Sequence, residues 1–147
     1  MYCSTLSCPH LSFFIPGKPQ GKGRPRFAKT GRGVQVYTPT ETTEAETRIK
    51  FLALEAGVHL GPKEGPVKVN IVAFFAGPPE QKPGGALPPK PDLDNIVKLV
   101  LDALNGTAYH DDAQVVELVA GKTWAGGQGY LFDGPGVVVE VTYLEEN

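Results

Sequence analysis

The sequence has very few cysteines and no long apolar run. Of its 147 residues only two are cysteines, Cys3 and Cys8, and both lie near the N-terminus. So few cysteines exclude the disulfide framework of a small secreted domain and suit a reducing cytoplasm. No run approaches about 18 consecutive apolar residues, so we expect no transmembrane helix. The first residues also lack the basic start and apolar stretch of a signal peptide. We therefore expect a cytoplasmic protein that has no membrane partner.

The positive charges are concentrated in one block. The formal net charge is −2, yet no acidic residue occurs between Pro16 and Tyr37. The cations of this block are Lys18, Lys22, Arg24, Arg26, Lys29 and Arg32. A local positive block can attract a polyanion even on a slightly acidic protein, because the field is local. The alternative left open is a solvated loop that only keeps the protein soluble.

Apolar periodicity predicts a mixture of strands and helices. Alternating runs predict strands at about residues 11–15, 34–37, 67–75, 114–124 and 137–143. Thr38, Pro39 and Glu41 form a capping box that predicts the start of a helix, and Gly57 predicts its end. The length fits one domain over residues 1–147. We therefore predict an α+β fold, in which two main helices pack on a mixed sheet.

Residues 76–91 are predicted to form a long loop. This segment holds six prolines and three glycines in 16 residues. Such a composition can neither continue a helix nor pair within a sheet. Long loops in compact domains are usually functional or disordered, so we expect an exposed, mobile loop here.

The second helix is predicted at about residues 95–105, with Asp94 as its N-cap and Gly106 just past its end. It is apolar almost all round and should therefore be largely buried. Its polar residues follow the spacing i, i+3, i+7, i+10, which places them in one narrow stripe. They are Asn95, Lys98, Asp102 and Asn105.

Acidic residues lie at the start of this stripe and again shortly after the helix. Asp92 and Asp94 precede it, and Asp111 and Asp112 precede the strand at 114–124. If that strand lies beside the helix N-terminus, three carboxylates converge, a donor set that suits Mg²⁺. The alternative is an ordinary N-cap plus an i, i+4 pair of Lys98 and Asp102. That alternative leaves Asp92 unexplained, since two close carboxylates repel each other.

Other motifs fit these residues less well. An EF-hand that began at Asp92 would need Gly at position 97 and Glu at position 103, where the chain has Val97 and Ala103. Cys3, Cys8 and His10 lack zinc spacing and a fourth nearby ligand. The glycines near Lys22 do not form a P-loop.

The acidic segments resemble the signature of the RusA-family Holliday junction resolvases. The matching run is Asp92-Leu93-Asp94-Asn95-x-x-Lys98-x-x-x-Asp102-Ala103-Leu104-Asn105, followed by Asp111-Asp112-Ala113-Gln114-Val115. The resemblance implies a small homodimeric endonuclease of branched DNA, often phage- or prophage-encoded, with Mg²⁺ as cofactor and Mn²⁺ as the alternative. It also implies Asp92, Asp94 and Asp112 as metal-binding and catalytic carboxylates and Lys98 as the active-site lysine.

In that interpretation the basic block contacts DNA phosphates without reading sequence. The candidate DNA-binding residues are Lys22, Arg24, Arg26 and Lys29, with Lys90 of the proline-rich loop. A homodimer would cut a four-way junction symmetrically, in DNA recombination and repair. Two alternatives stay open: a fork or flap nuclease of phage DNA processing, and a non-catalytic junction-binding protein of the same fold.

Overall fold

A computed structural model describes residues 10–37, 39–57, 61–77, 88–125 and 134–144. The elements in chain order are β1 His10–Pro16, β2 Arg26–Thr30, β3 Gly33–Tyr37, α1 Thr40–Ala56, β4 Val67–Phe75, α2 Leu93–Ala103, a 3₁₀ turn at Asp112–Gln114, β5 Val115–Trp124 and β6 Gly136–Tyr143. The predicted strands are confirmed to within one or two residues. Cys3, Cys8 and most of the predicted 76–91 loop lie outside the described residues.

Four strands form one mixed sheet in the order β1-β6-β4-β5. Strand β4 pairs antiparallel with β6 and parallel with β5. Parallel neighbours need a long crossover, and α2 lies in the connection between β4 and β5. Strand β4 is central because its alternate residues, from Val67 to Phe75, are all buried in the core. Strands β2 and β3 form a separate two-stranded hairpin.

Both helices pack on the sheet, which confirms the α+β class. Helix α1 contacts β1 and α2, and α2 contacts β5. One side of α1 is buried, and Ile49 and Ala53 lie on it. Helix α2 is more deeply packed, since Ile96, Leu99 and Val100 are each at most 2% exposed. The expectation of a buried second helix therefore holds for one side only, because Leu93, Val97 and Leu101 on the other side are half-buried.

The helix ends differ from their predictions. Helix α1 begins at Thr40 with Pro39 as N-cap and has no side-chain cap, so the capping box at Thr38 is wrong. The carbonyl of Pro39 instead accepts from the N–H groups of Thr42 and Thr43. Gly57 is confirmed as the C-cap, where its φ of 131° suits glycine. Helix α2 begins two residues earlier than predicted, at Leu93, and Asp92 is its N-cap.

No helix in the described part of the chain is long and apolar enough to cross a membrane.

Candidate active site

A groove of about 610 Å³ runs between α2 and the inner side of β5. Its apolar lining comes from both elements: Leu93, Val97 and Leu101 of α2, and Leu118 and Ala120 of β5. Its polar lining comes from Asp94, Lys98, Asp102 and Asp112. An ammonium and three carboxylates thus share one concave, largely apolar surface. Asp94 and Lys98 are exposed there, whereas Asp102 and Asp112 are half-buried.

The early start of α2 places Asp94 in the first helical turn. Asp94, Lys98 and Asp102 are therefore four residues apart in succession and share one face of the helix. The positive end of the helix dipole also stabilises a carboxylate in the first turn. Of the predicted polar stripe, Lys98 and Asp102 line the groove together with Asp94, whereas Asn95 and Asn105 are not among the lining residues.

The adjacent acids Asp111 and Asp112 have different surroundings. The Asp111 carboxylate accepts from the Ala113 N–H at 3.2 Å and caps the 3₁₀ turn. The Gln114 side chain completes this capping box by accepting from the Asp111 N–H at 3.2 Å. Its amide nitrogen also donates to the carbonyls of Lys63 and Gly65, at 2.9 and 2.8 Å. These bonds fix the turn so that Asp112 lines the groove.

Asp92 lies apart from the groove-lining carboxylates. Its side chain is 55% exposed and pairs with Lys90 at 3.2 Å. Among the described residues, no group of three or more His, Cys, Asp and Glu side chains is placed to hold a metal ion. The structure therefore brings Asp94 and Asp112 together in one groove, whereas Asp92 lies outside it, at the N-terminal end of α2.

Lys22 binds carboxylates of the protein itself. Its ammonium forms an ion pair with Glu46 and another with Asp102 at 3.2 Å, and its side chain is only 22% exposed. Burial lowers the pKa of Lys22, but hydrogen bonds and charge attraction from Glu46 and Asp102 outweigh that effect and raise the pKa overall. Asp102 also lies 3.9 Å from Lys98. A chain of alternating charges therefore joins α1 to the groove.

The loop that carries Lys22 lies tightly against both helices. The Lys22 N–H donates to the Asn95 carbonyl at 2.9 Å, and the Gly23 N–H donates to the Thr42 hydroxyl at 2.9 Å. A Cβ on Gly21 would lie 2.8 Å from the ring of Pro91, and one on Gly23 would lie 2.6 Å from Thr42 Oγ1. Glycine at these two positions permits the close approach.

The other predicted DNA-binding cations are exposed. Arg24 and Arg26 line a depression that also includes Thr42 and Pro91, next to the start of α2. Lys29 lies on the exposed hairpin, and the Lys90 side chain is almost fully exposed. These four cations lie on the surface, whereas Lys22 is paired with Glu46 and Asp102.

Sequence reasoning missed one lysine that positions backbone and one buried tyrosine, and it did not predict the ion pairs of Lys22. Lys122 of β5 donates to the carbonyls of Pro89 and Pro91 at 3.1 and 3.3 Å and so fixes the approach to Asp92. The sequence groups Lys22 with the candidate DNA-binding residues, because no local pattern links it to Asp102, 80 residues further along the chain. Tyr109 was not considered, although it is fully buried and donates to the Leu101 carbonyl at 2.7 Å.

Burial and nearby carboxylates both raise the pKa of the Tyr109 phenol. Burial is the main cause that raises the pKa of its phenol. The charges of Asp112, Asp102 and Asp111 raise it further, in that order. Carboxylates from two segments of the chain thus act on one buried phenol.

Comparison with known proteins identifies the family to which this fold and its acidic groove belong. Residues 16–142 match the model of the family described as endodeoxyribonuclease RusA. The chain therefore belongs to the RusA endodeoxyribonuclease family, whose members are metal-dependent Holliday junction resolvases that act on branched DNA. It is also 32% identical over 128 residues to the uncharacterized protein YqaN of Bacillus subtilis (strain 168), an alignment that covers 78% of this chain and 88% of the relative.

The ion pairs of Lys22 predict a measurable contribution to stability. Lys22→Met should lower the free energy of unfolding by about 1–2 kcal/mol, because it leaves Glu46 and Asp102 without their shared partner. Urea unfolding followed by fluorescence measures this, since Trp124 is the only tryptophan. Lys50→Met, at an exposed position of α1, is the matched control and should change stability by less than about 0.5 kcal/mol.

The pH dependence gives this prediction a second test. The pKa of Lys22 is raised above 10.5, so its stabilising effect is complete below pH 10.5 and is lost as the pH rises through the raised pKa. The stability difference between wild type and Lys22→Met should therefore shrink only at strongly alkaline pH. A difference of zero at neutral pH would show that the ion pairs contribute nothing.

Proposed function

We propose that this protein is a Mg²⁺-dependent endonuclease that resolves four-way DNA junctions by paired, symmetrical phosphodiester cleavage in DNA recombination and repair. The observation that carries the proposal is the groove. It brings Asp94 and Lys98 of one signature segment together with Asp112 of the other. The family to which the chain belongs provides the independent support.

The carboxylates fit a hard divalent cation. Mg²⁺ is usually held by one or two carboxylates, and water and substrate phosphate complete its coordination. Asp94 and Asp112 share the groove, and we propose Asp92 as the third ligand. The Asp92–Lys90 pair is exposed, and such pairs contribute about 0–1 kcal/mol, so it offers little resistance to rearrangement. Mn²⁺ has the same preference for oxygen ligands and is the alternative cofactor.

The bound ion would supply Lewis acidity and lower the pKa of a water molecule. Lys98 has a separate role in this proposal. It lies one helical turn after Asp94, and its side chain is 63% exposed at the groove. Its ammonium would contact a non-bridging oxygen of the scissile phosphate and stabilise the charge that develops there during cleavage. Asp102, which is paired with Lys22, would limit the positions that Lys98 can take.

The exposed cations would bind DNA next to the groove. We propose that Arg24, Arg26, Lys29 and Lys90 contact backbone phosphates, which positions the DNA without reading its sequence. Arg24 and Arg26 line the depression beside Pro91, at the N-terminal end of α2. We exclude Lys22 from this set, because its charge is already neutralised by Glu46 and Asp102.

A homodimer would give the junction two cutting sites. Strand β5 lies at one edge of the sheet and exposes two large apolar side chains that do not line the groove, Val116 and Val119. Exposed apolar edge strands are usually covered in solution. A second copy related by a twofold axis would cover them and match the pseudo-symmetry of a four-way junction.

Cleavage of defined DNA substrates tests the proposal. Labelled four-way junctions, forks, flaps and linear duplexes are incubated with the protein, with and without Mg²⁺. We expect paired nicks in opposite strands of the four-way junction only when Mg²⁺ is present. Equal cleavage of linear duplex would contradict structure-specific activity, and preferential cleavage of forks or flaps would contradict the junction assignment.

A further inference from the structure

The β2–β3 hairpin exposes an apolar face that no other described element covers. Its two strands pair only with each other, and every residue of the strands is exposed except the half-buried Ala28. Phe27 lies opposite Val36, and Lys29 lies opposite Val34. Directly paired residues and their i+2 neighbours share one side of a ribbon. One face of the hairpin therefore consists of Phe27, Lys29, Val34 and Val36.

This degree of exposure is unusual for such side chains. Phe27 is 72% exposed, and Val34 and Val36 are each more than half exposed. A two-stranded ribbon alone is only marginally stable in water, and clustered exposed apolar residues usually mark a contact site. We therefore expect this face of the hairpin to bind a partner.

The charge around this face identifies the partner. No acidic residue occurs anywhere between residues 10 and 37, and the hairpin and its approach carry Arg24, Arg26, Lys29 and Arg32. A second copy of the same hairpin would bring like charges together. A nucleic acid supplies phosphates for the cations and base faces for the aromatic ring. The combination of cations and an exposed Phe thus favours DNA over a second copy.

The hairpin starts close to the acidic groove. The backbone of Lys22 is bound to Asn95 of α2, and β2 begins at Arg26. Four residues of extended chain span at most about 14 Å. DNA with a phosphate in the groove would therefore pass within reach of the hairpin.

We propose that the Phe27 face of the hairpin stacks on nucleobases that are unstacked at the branch point of the DNA. Bases in a continuous duplex present only their edges, whereas a branch point interrupts stacking and exposes base faces. An aromatic side chain can therefore distinguish a branch point from a duplex without reading sequence. This proposal rests on the proposed function and adds to it the element that recognises branched structure.

Equilibrium binding without cleavage tests the proposal. The full-length protein is titrated, in Ca²⁺ in place of Mg²⁺, into a four-way junction and a linear duplex of equal arm length. Phe27→Ala should weaken junction binding at least about fivefold, the lower end of the range for one base–aromatic stack, and should change duplex binding less than about twofold. Phe27→Trp should retain the affinity for the junction. Phe51→Ala is the matched control, since Phe51 is 59% exposed on α1, outside the basic segment.

Two further measurements separate the explanations. A 2-aminopurine placed at the branch point should change its fluorescence on binding of wild type and Phe27→Trp, and not on binding of Phe27→Ala. Arg24→Ala with Arg26→Ala should instead weaken junction and duplex alike and flatten the slope of log K against log salt by up to about 2, near 0.9 for each lost phosphate contact.

The outcomes are distinguishable. If wild type prefers junctions and Phe27→Ala leaves that preference unchanged, or weakens junction and duplex equally, the hairpin proposal is wrong and the proposed function stands. If Phe27→Ala changes the mass measured by light scattering, the face is a contact between copies and the proposal is wrong. If wild type shows no preference for junctions, both the proposed function and the hairpin proposal fail.

Discussion

Asn substitutions at Asp94 and Asp112 are each expected to abolish junction cleavage and to leave junction binding nearly unchanged. The two carboxylates belong to different segments of the chain and line the same groove, where a divalent cation would need both. Binding should persist because, in the proposed mode of binding, the affinity comes mainly from phosphate contacts of Arg24, Arg26 and Lys29. Nicking of labelled four-way junctions in Mg²⁺ measures cleavage, and gel-shift titration in Ca²⁺ measures binding.

The adjacent acid provides the matched control. Asp111→Asn keeps an oxygen that can accept from the Ala113 N–H and cap the 3₁₀ turn, so it should cleave at close to the wild-type rate. Wild-type nicking by Asp112→Asn, or a loss in Asp111→Asn as large as in Asp112→Asn, would contradict the assignment.

Asp92→Asn tests whether the carboxylate outside the groove takes part. If Asp92 is a metal ligand, this variant should also lose cleavage. If Asp92 serves only as the partner of Lys90, Asn removes only an exposed ion pair, because the Asp92 side chain makes no capping hydrogen bond. Cleavage would then stay close to wild type, and the three-carboxylate proposal would reduce to Asp94 and Asp112.

The elements with a strong periodic signal were predicted well. Strand β4 alternates between buried and less buried residues from Val67 to Ala73, because one of its faces is part of the core, and only at its end is Phe74 of the other face also buried. Helix α2 combines an apolar surface with one polar stripe, and the structure buries Ile96, Leu99 and Val100 of the first and turns Lys98 and Asp102 of the second to the groove. Strand β3 was predicted from its short apolar run, whereas its partner β2 has no such run and was not predicted.

The exact helix starts were not predicted, because short polar residues compete for the cap position. Asp92 and Asp94 are equally good N-cap residues by type, and the packing of residues 89–91 decides between them. Lys122 binds the carbonyls of Pro89 and Pro91 there, from a strand that the local sequence does not indicate as a neighbour. The two-residue error matters, since it moves Asp94 from the helix cap to the groove.

The ion pairs of Lys22 could not be predicted from the residues next to it in the sequence. Lys22 lies in a block of like charges, so composition groups it with Arg24 and Arg26. Its partners, Glu46 and Asp102, are 24 and 80 residues away in sequence, and only the packing of α1 against α2 brings them together. Ion pairs between distant elements leave no periodic signal.

Lys98→Ala is expected to slow junction cleavage by about 10²–10³ even at saturating Mg²⁺. The substitution removes a group that stabilises charge in the transition state and leaves the carboxylate ligands intact, so added metal cannot compensate for it. Single-turnover rates over a Mg²⁺ titration measure both quantities. We expect a low plateau at an almost unchanged Mg²⁺ midpoint.

Lys68→Ala is the matched control, because Lys68 pairs with Glu117 at 3.6 Å and lies on β4 in the register that faces away from the core. It should cleave at the wild-type rate. If high Mg²⁺ restored full activity to Lys98→Ala, Lys98 would act only by neutralising the acidic groove before metal binds, since the metal would then replace its charge. A plateau that stays low while Lys98→Arg recovers part of the rate would instead identify a positive charge at the phosphate, because Arg keeps the charge but not the compact geometry of the ammonium.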